Sequence, residues 1–322
     1  MWTQIEEVLL TAVSVPTQII VSDPNDLIEA GNWVIIRPMD KECEIRKVDT
    51  ISGTSTRTIT FETGKDLVFS HAIATAVYVQ TSPNWDVLLF GANIPNMFLN
   101  QSVINMYAFN AAVADCTING GGIISIPKGE YLLSPSGTGS GDSCIVLNAL
   151  SNIKFVGEGI DVSIIRISDV AFVSTVHIFE CLSCSGIEWY DLTIDGNRTI
   201  IPSGLDHNII ESIDCNSLHI ERVNFINSYQ DCIRGRNINR MIVKSCNLTF
   251  SGRYGIHLNA DTSDVVITDC FFADNDAEDI YCFADGTSIT NLIVSNNIIE
   301  RTASTTSKYA LYLKAKAAAR YS

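Results

Sequence analysis

Asp231, Glu278, Tyr254 and His257 supply two carboxylates, a phenol and an imidazole, the groups that proton-transfer chemistry needs. They stand at fixed offsets from a recurring apolar residue: Ile210, Ile233, Ile256, Ile280 and Leu311. One residue after it come Glu211, Arg234, His257, Tyr281 and Tyr312; two before it, Asn208, Asp231, Tyr254, Glu278 and Tyr309. A further column holds His207, Gln230, Arg253, Ala277 and Lys308. If equivalent positions stack one strand spacing apart, about 4.8 Å, these columns become the wall of a groove. Asp231 and Glu278 are then two repeats apart, with backbones roughly 9–10 Å from one another. Their carboxyls could meet the ~6.5–9.5 Å separation of an inverting glycoside hydrolase. A β-eliminating lyase would instead use His257 or Tyr254 as the base, with Arg234 or Arg253 neutralising a uronate carboxylate. Tyr281, Glu211, Asn208 and His207 are the remaining candidates to bind substrate, aromatics offering ring faces to sugar C–H groups.

The columns exist only because the chain repeats. Leu218–Phe225, Met241–Leu248, Val265–Phe272 and Leu292–Ile299 align at offsets of 23, 24 and 27 residues. Ile187–Ile194 fits the same register 31 residues earlier. Short alternating apolar runs, polar turns and almost no helical periodicity within 118–313 describe the coils of a parallel β-helix, each stable only when stacked on neighbours. Cys246 and Cys270 share one column, and Cys184 and Cys215 another, so the cysteines read as reduced core residues. Cys181-Leu182-Ser183-Cys184 lacks a second pair, and neither a metal nor another cofactor is expected.

The net charge of −15 over 322 residues argues against nucleic acid or a membrane surface as partner. Within that acidic chain, residues 232–260 contain no Asp or Glu but hold Arg234, Arg236, Arg240, Lys244, Arg253 and His257. Such a basic island suits an acidic sugar. The N-terminus shows no signal-peptide pattern.

Residues 1–82 carry short strand patterns (Trp33–Arg37, Glu44–Val48, Thr58–Phe61, Ala76–Val79) and read as a small β module. Residues 83–117 read as a linker followed by an amphipathic helix over Val103–Cys116 that caps the solenoid, and 314–322 as a short tail.

The helix, the run Gly120-Gly121-Gly122-Ile123-Ile124-Ser125-Ile126-Pro127-Lys128-Gly129-Glu130-Tyr131 and Phe155-Val156-Gly157-Glu158-Gly159 resemble the entrance of the pectate-lyase-like superfamily. That superfamily of right-handed parallel β-helices includes pectate lyases, polygalacturonases and phage tailspike depolymerases. Tyr229-Gln230-Asp231-Cys232-Ile233 resembles the Asp-Asp-Cys segment of polygalacturonases, although Gln230 replaces one aspartate and Tyr254 stands where that family has histidine. The resemblance implies an all-β, right-handed parallel β-helix acting on a polysaccharide, by hydrolysis first and lyase chemistry second. The contrasting expectation is a glycan-binding or structural tail protein without catalysis. It also implies a phage or prophage tail setting, released by host lysis, with the front module joining other tail proteins. The unpaired last coil at Tyr309–Leu313 adds the expectation of either a homotrimer or a piece of a longer protein.

Overall fold

The computed structural model describes residues 8–15, 18–22, 28–36, 43–53, 56–62, 65, 76–80, 85–92, 101–134, 143–168, 176–200, 206–285, 287–301 and 309–316. The run Leu67–His71, Lys308, most of the expected linker and the last six residues lie outside these. No helix among the described residues is long and apolar enough to cross a membrane. The chain divides into two compact units, Met1–Ala92 with Tyr107–Ser125, and Asn93–Met106 with Ile126–Ser322.

The first unit is a closed antiparallel barrel. Its strands are Val8–Val15, Gln18–Ser22, Trp33–Ile36, Glu44–Gly53, Thr56–Phe61 and Ala76–Gln80. The first two carry no strand signal in the reading of the sequence. Alternation places Ile19, Val21, Val34, Ile36, Val48, Ile59 and Phe61 in one core. Arg46 is fully buried beside them, paired with Glu44 and, at 2.5 Å, with Asp115. The other Asp115 oxygen accepts the Trp85 indole N–H and the Ile45 amide, both at 3.0 Å. A buried charge persists only when paired and hydrogen-bonded in this way.

The second unit is a parallel β-helix, as the repeat demands. One sheet stacks Ile145–Asn148, Phe179–Leu182, Ile210–Ile213, Ile233–Arg236, Ile256–Asn259, Ile280–Asp285 and Leu311–Lys316, all parallel. A second sheet stacks Ser151–Gly157, Ser185–Asp195, Asn216–Ile226, Asn239–Lys244, Thr262–Thr268 and Ile289–Ser295. The short strands Asn247–Thr249, Phe271–Ala273 and Ile298–Glu300 continue the end of Asn216–Ile226 into a third run. The last strand of the first sheet runs on to Lys316, three residues into the expected tail.

Left-handed residues set the corners. Ala149, Ser183, Asp214, Asn237 and Ala260 have φ between 54° and 58° and follow equivalent strands; Asp191, Arg222, Ser245, Asp269 and Asn296, with φ between 51° and 56°, mark the next corner. Asn, Asp and Ser tolerate this conformation because their short side chains bond locally, and here they also bond the next coil. Asn237 Nδ2 donates to Asp214 Oδ1 at 2.7 Å, for example. Between corners the inward columns fill the solenoid. Leu192, Val223, Cys246 and Cys270 occupy one register position, so the thiols stand where branched aliphatics stand in neighbouring coils. All ten cysteines are free and buried.

Candidate functional site

Along the seven-stranded sheet, Glu180, Glu211, Arg234, His257, Tyr281 and Tyr312 pair in one register. The column read from the sequence is therefore real. What the side chains do in it is less uniform.

Asp231 is wholly buried, at 0 % exposure. Its carboxylate accepts four hydrogen bonds: from Arg253 Nε at 2.7 Å and Nη2 at 2.5 Å, from His257 Nδ1 at 2.9 Å, and from the Tyr254 amide at 3.3 Å. Burial alone would raise its pKa, but the His257 and Arg253 hydrogen bonds outweigh burial and hold it below the usual carboxylate value. An ionised Asp231 can only accept, so His257 carries a proton on Nδ1, and in the neutral ring that tautomer leaves the lone pair on Nε2. No other hydrogen bond engages His257 among the described residues. The expectation of Asp231 as a groove-facing acid is corrected: it is an interior anion that fixes an imidazole.

The neighbouring residues extend the network across coils. Asn208 accepts the Asp231 amide at 2.9 Å and donates to Glu211 Oε2 at 2.8 Å. It is 3 % exposed, and its side chain makes both of these bonds. Glu211 is 4 % exposed, with Arg234 Nε at 3.8 Å from its carboxylate, while Arg234 Nη1 donates to Asp206 at 2.9 Å. Burial pushes the Glu211 pKa up to about 7, against the pull of Arg234 and with Asp206 adding to the rise. His207, expected to bind substrate, is instead buried with Nδ1 against the Val176 backbone.

The tyrosines also differ from expectation. Tyr281 stacks on Tyr254 at 4.4 Å and 6°, and on Tyr312 at 5.3 Å and 3°; Arg253 lies 5.1 Å over the Tyr254 ring. Rings that stack on one another offer edges and hydroxyls, and Tyr281 has no face free for a sugar. Burial, helped by Tyr281 and Glu278, pushes the Tyr254 pKa up to about 12, which makes it a poor base. Glu278 is half-buried, and its carboxylate forms no hydrogen bond or ion pair among the described residues. The structure therefore brings His257, Arg234, Glu211 and Asp231 into one hydrogen-bonded and register-paired set, but not the two solvent-facing carboxylates that hydrolysis by Asp231 and Glu278 requires.

Sequence reasoning passed over a second polar network, on the outer face of the second sheet. Tyr190 donates to Glu188 at 2.5 Å and lies 3.2 Å from His219 Nδ1; Arg222 forks onto Asp191 at 2.6 and 2.9 Å, and Lys154 meets Glu188 at 2.9 Å. On this face Glu221 pairs with Arg222 at 2.7 Å and Lys244 at 3.4 Å and lies 3.2 Å from His219 Nε2. The register of Tyr190, Glu221 and Lys244 was the available signal. Its charges are matched internally, so a ligand would have to displace existing pairs. No cluster of His, Cys, Asp and Glu able to hold a metal occurs among the described residues.

No family model matches the chain. The pre-mature bacteriophage phi29 gene product 12 superposes with a TM-score of 0.50 at 14 % identity, over 67 % of this chain and 33 % of that one. The likeness is one of fold, the parallel β-helix. The mannuronan C5-epimerase AlgE4 A-module of Azotobacter vinelandii superposes at a TM-score of 0.46 and 17 % identity, over 69 % of this chain and 73 % of that one. In sequence, 94 residues are 34 % identical to mannuronan C5-epimerase AlgE1 of the same bacterium, which is 28 % of this chain and 6 % of the relative. The chain thus spans a small fraction of the curated relatives that it matches.

Proposed function

We propose that this chain is a polysaccharide-modifying enzyme that acts on uronates by removing the C5 proton. One observation carries the reading: His257, oriented by a buried Asp231, stands in register beside Arg234, the cation that would hold the sugar carboxylate. His257 Nε2 takes the proton, and the electron pair left at C5 spreads into the carboxylate, stabilised by Arg234. Glu211, one coil beyond Arg234 and protonated up to about pH 7, can pass a proton to the departing C4 oxygen. That completes β-elimination. The 34 % identity to a mannuronan C5-epimerase over 94 residues favours a second fate, in which C5 is reprotonated from the opposite face and the C4–O bond stays intact.

Incubation with polymannuronate and polygalacturonate in D2O tests both. Loss of the C5–H resonance is expected; an ultraviolet-absorbing unsaturated uronate marks elimination, and inverted C5 without that absorbance marks epimerisation. New reducing ends with the C5 proton retained would restore the hydrolase reading and sink this one. A phage-tail setting, with the barrel unit as attachment module and a homotrimeric assembly, belongs to the same proposal and is supported by the phage protein's likeness in fold. Light scattering that returns a monomer would remove the trimer.

A further inference from the structure

Beside the wall, four successive turns of the solenoid line an open cleft of about 440 Å³, bounded by Arg198, Tyr229, Gln230, Gly252, Arg253 and Asp276. Its size falls within the roughly 300–1,000 Å³ of small-molecule sites. The depth depends on Gly252: a Cβ there would lie 2.0 Å from the Tyr229 carbonyl oxygen, so only a residue without a side chain lets the two coils close on each other. Two guanidiniums face one carboxylate, an excess of positive charge in a chain of net charge −15.

Both arginines keep donors in reserve. Arg198 spends Nη1 on the Phe250 carbonyl at 2.9 Å and sits 3.5 Å from Asp276, leaving its remaining N–H groups uncommitted among the described residues. Arg253 commits Nε and Nη2 to Asp231 and lies over Tyr254, which leaves Nη1. A planar guanidinium held on one edge presents the other at little further entropic cost, the arrangement that suits a carboxylate. Arg253 also belongs to the wall, since it and His257 donate to the same Asp231 oxygen, Oδ2.

We propose that this cleft is a second, anion-selective subsite that holds the carboxylate of a sugar residue along the chain from the one at His257. The proposal rests on the uronate reading above and extends it to longer substrates. Arg198 and Arg253 Nη1 bind the carboxylate, and Asp276 accepts sugar hydroxyls.

The test is calorimetric binding of heptamannuronate and heptagalacturonate, alongside a carboxyl-reduced, neutral heptamer. The parent protein should bind at least one acidic heptamer more tightly than the neutral one. Arg198→Ala should weaken that binding about 10-fold in low-salt buffer, and less at high salt. Binding of the matching disaccharide should not change. Asp276→Asn, which removes the competing charge, should tighten binding of the acidic heptamer. Equal heptamer affinity in parent and Arg198→Ala overturns the subsite, as does a parent that binds neither acidic heptamer. An Arg198-dependent heptamer whose C5 proton never exchanges in D2O would instead keep the subsite and overturn the catalytic reading.

Discussion

His257 Nδ1 lies 2.9 Å from Asp231 Oδ2, and that oxygen is sealed from solvent. A carboxylate in this place cannot reach a polysaccharide, yet it fixes which ring nitrogen of His257 carries the proton. Asp231 is a positioning residue. His257, itself 7 % exposed, is the base in the proposed reaction.

Glutamine substitutions should separate the two residues that the sequence left as rivals. His257→Gln removes the base and should lower C5-proton exchange by about 10²–10⁴-fold. Glu278→Gln should leave the exchange rate within a few-fold of the parent. Deuterium incorporation followed by NMR decides, and a dead Glu278→Gln with an active His257→Gln would return the chemistry to a carboxylate.

Asp231→Ala should damage both activity and folding. It strands Arg253 and His257 around a vacated anion site, and breaking a buried pair costs ~3–5 kcal/mol. Arg253 is about one-third exposed, which places the loss toward the lower end. Urea unfolding would measure it, and an unchanged midpoint would contradict the network described above.

Glu211 predicts a specific pH dependence. Its folded-state pKa, about 7, lies above the ordinary 4.5, so the folded protein holds this proton more tightly than the unfolded chain. Stability from this site is therefore greatest below pH 4.5 and is lost as pH rises through 7, by on the order of 3 kcal/mol. Glu211→Gln should flatten that decline in unfolding curves between pH 5 and 8. If Glu211 donates its proton, elimination should also fall above about pH 7 in the parent.

The thiols should be silent until the protein unfolds. All ten are buried and free, so a thiol reagent should titrate none in native buffer and ten in denaturant. Cys246→Val should cost less than about 1.5 kcal/mol, because Val223 fills the same position one coil earlier.

In the barrel unit, Asp115→Ala removes an oxygen pair that holds Arg46, the Trp85 indole and the Ile45 amide. A loss of about 3–5 kcal/mol is expected, visible as reduced amide protection of Trp33–Ile36 and Glu44–Gly53 in hydrogen exchange.

The repeat determined the solenoid from sequence alone. A period near one coil, with apolar alternation, has no other way to bury its faces, and the register then follows from alignment; that is why Glu211, Arg234, His257 and Tyr281 fall into one column in both sequence and structure. The burial of each side chain was not legible. Asp231 precedes its strand, at a turn, and whether a turn residue faces solvent or the interior depends on the coil above it, here on Arg253 and His257 closing over it. The basic island shows the same limit. Residues 232–260 contain no acid, yet stacking brings Asp206 to Arg234, Glu221 to Lys244 and Asp231 to Arg253. Charges that a window of sequence shows unbalanced are balanced across coils about 4.8 Å apart, because each coil's partners lie one period away along the chain. The sequence determined which residues share a wall, while only the tertiary structure decided which of them are buried and which hold the others in place.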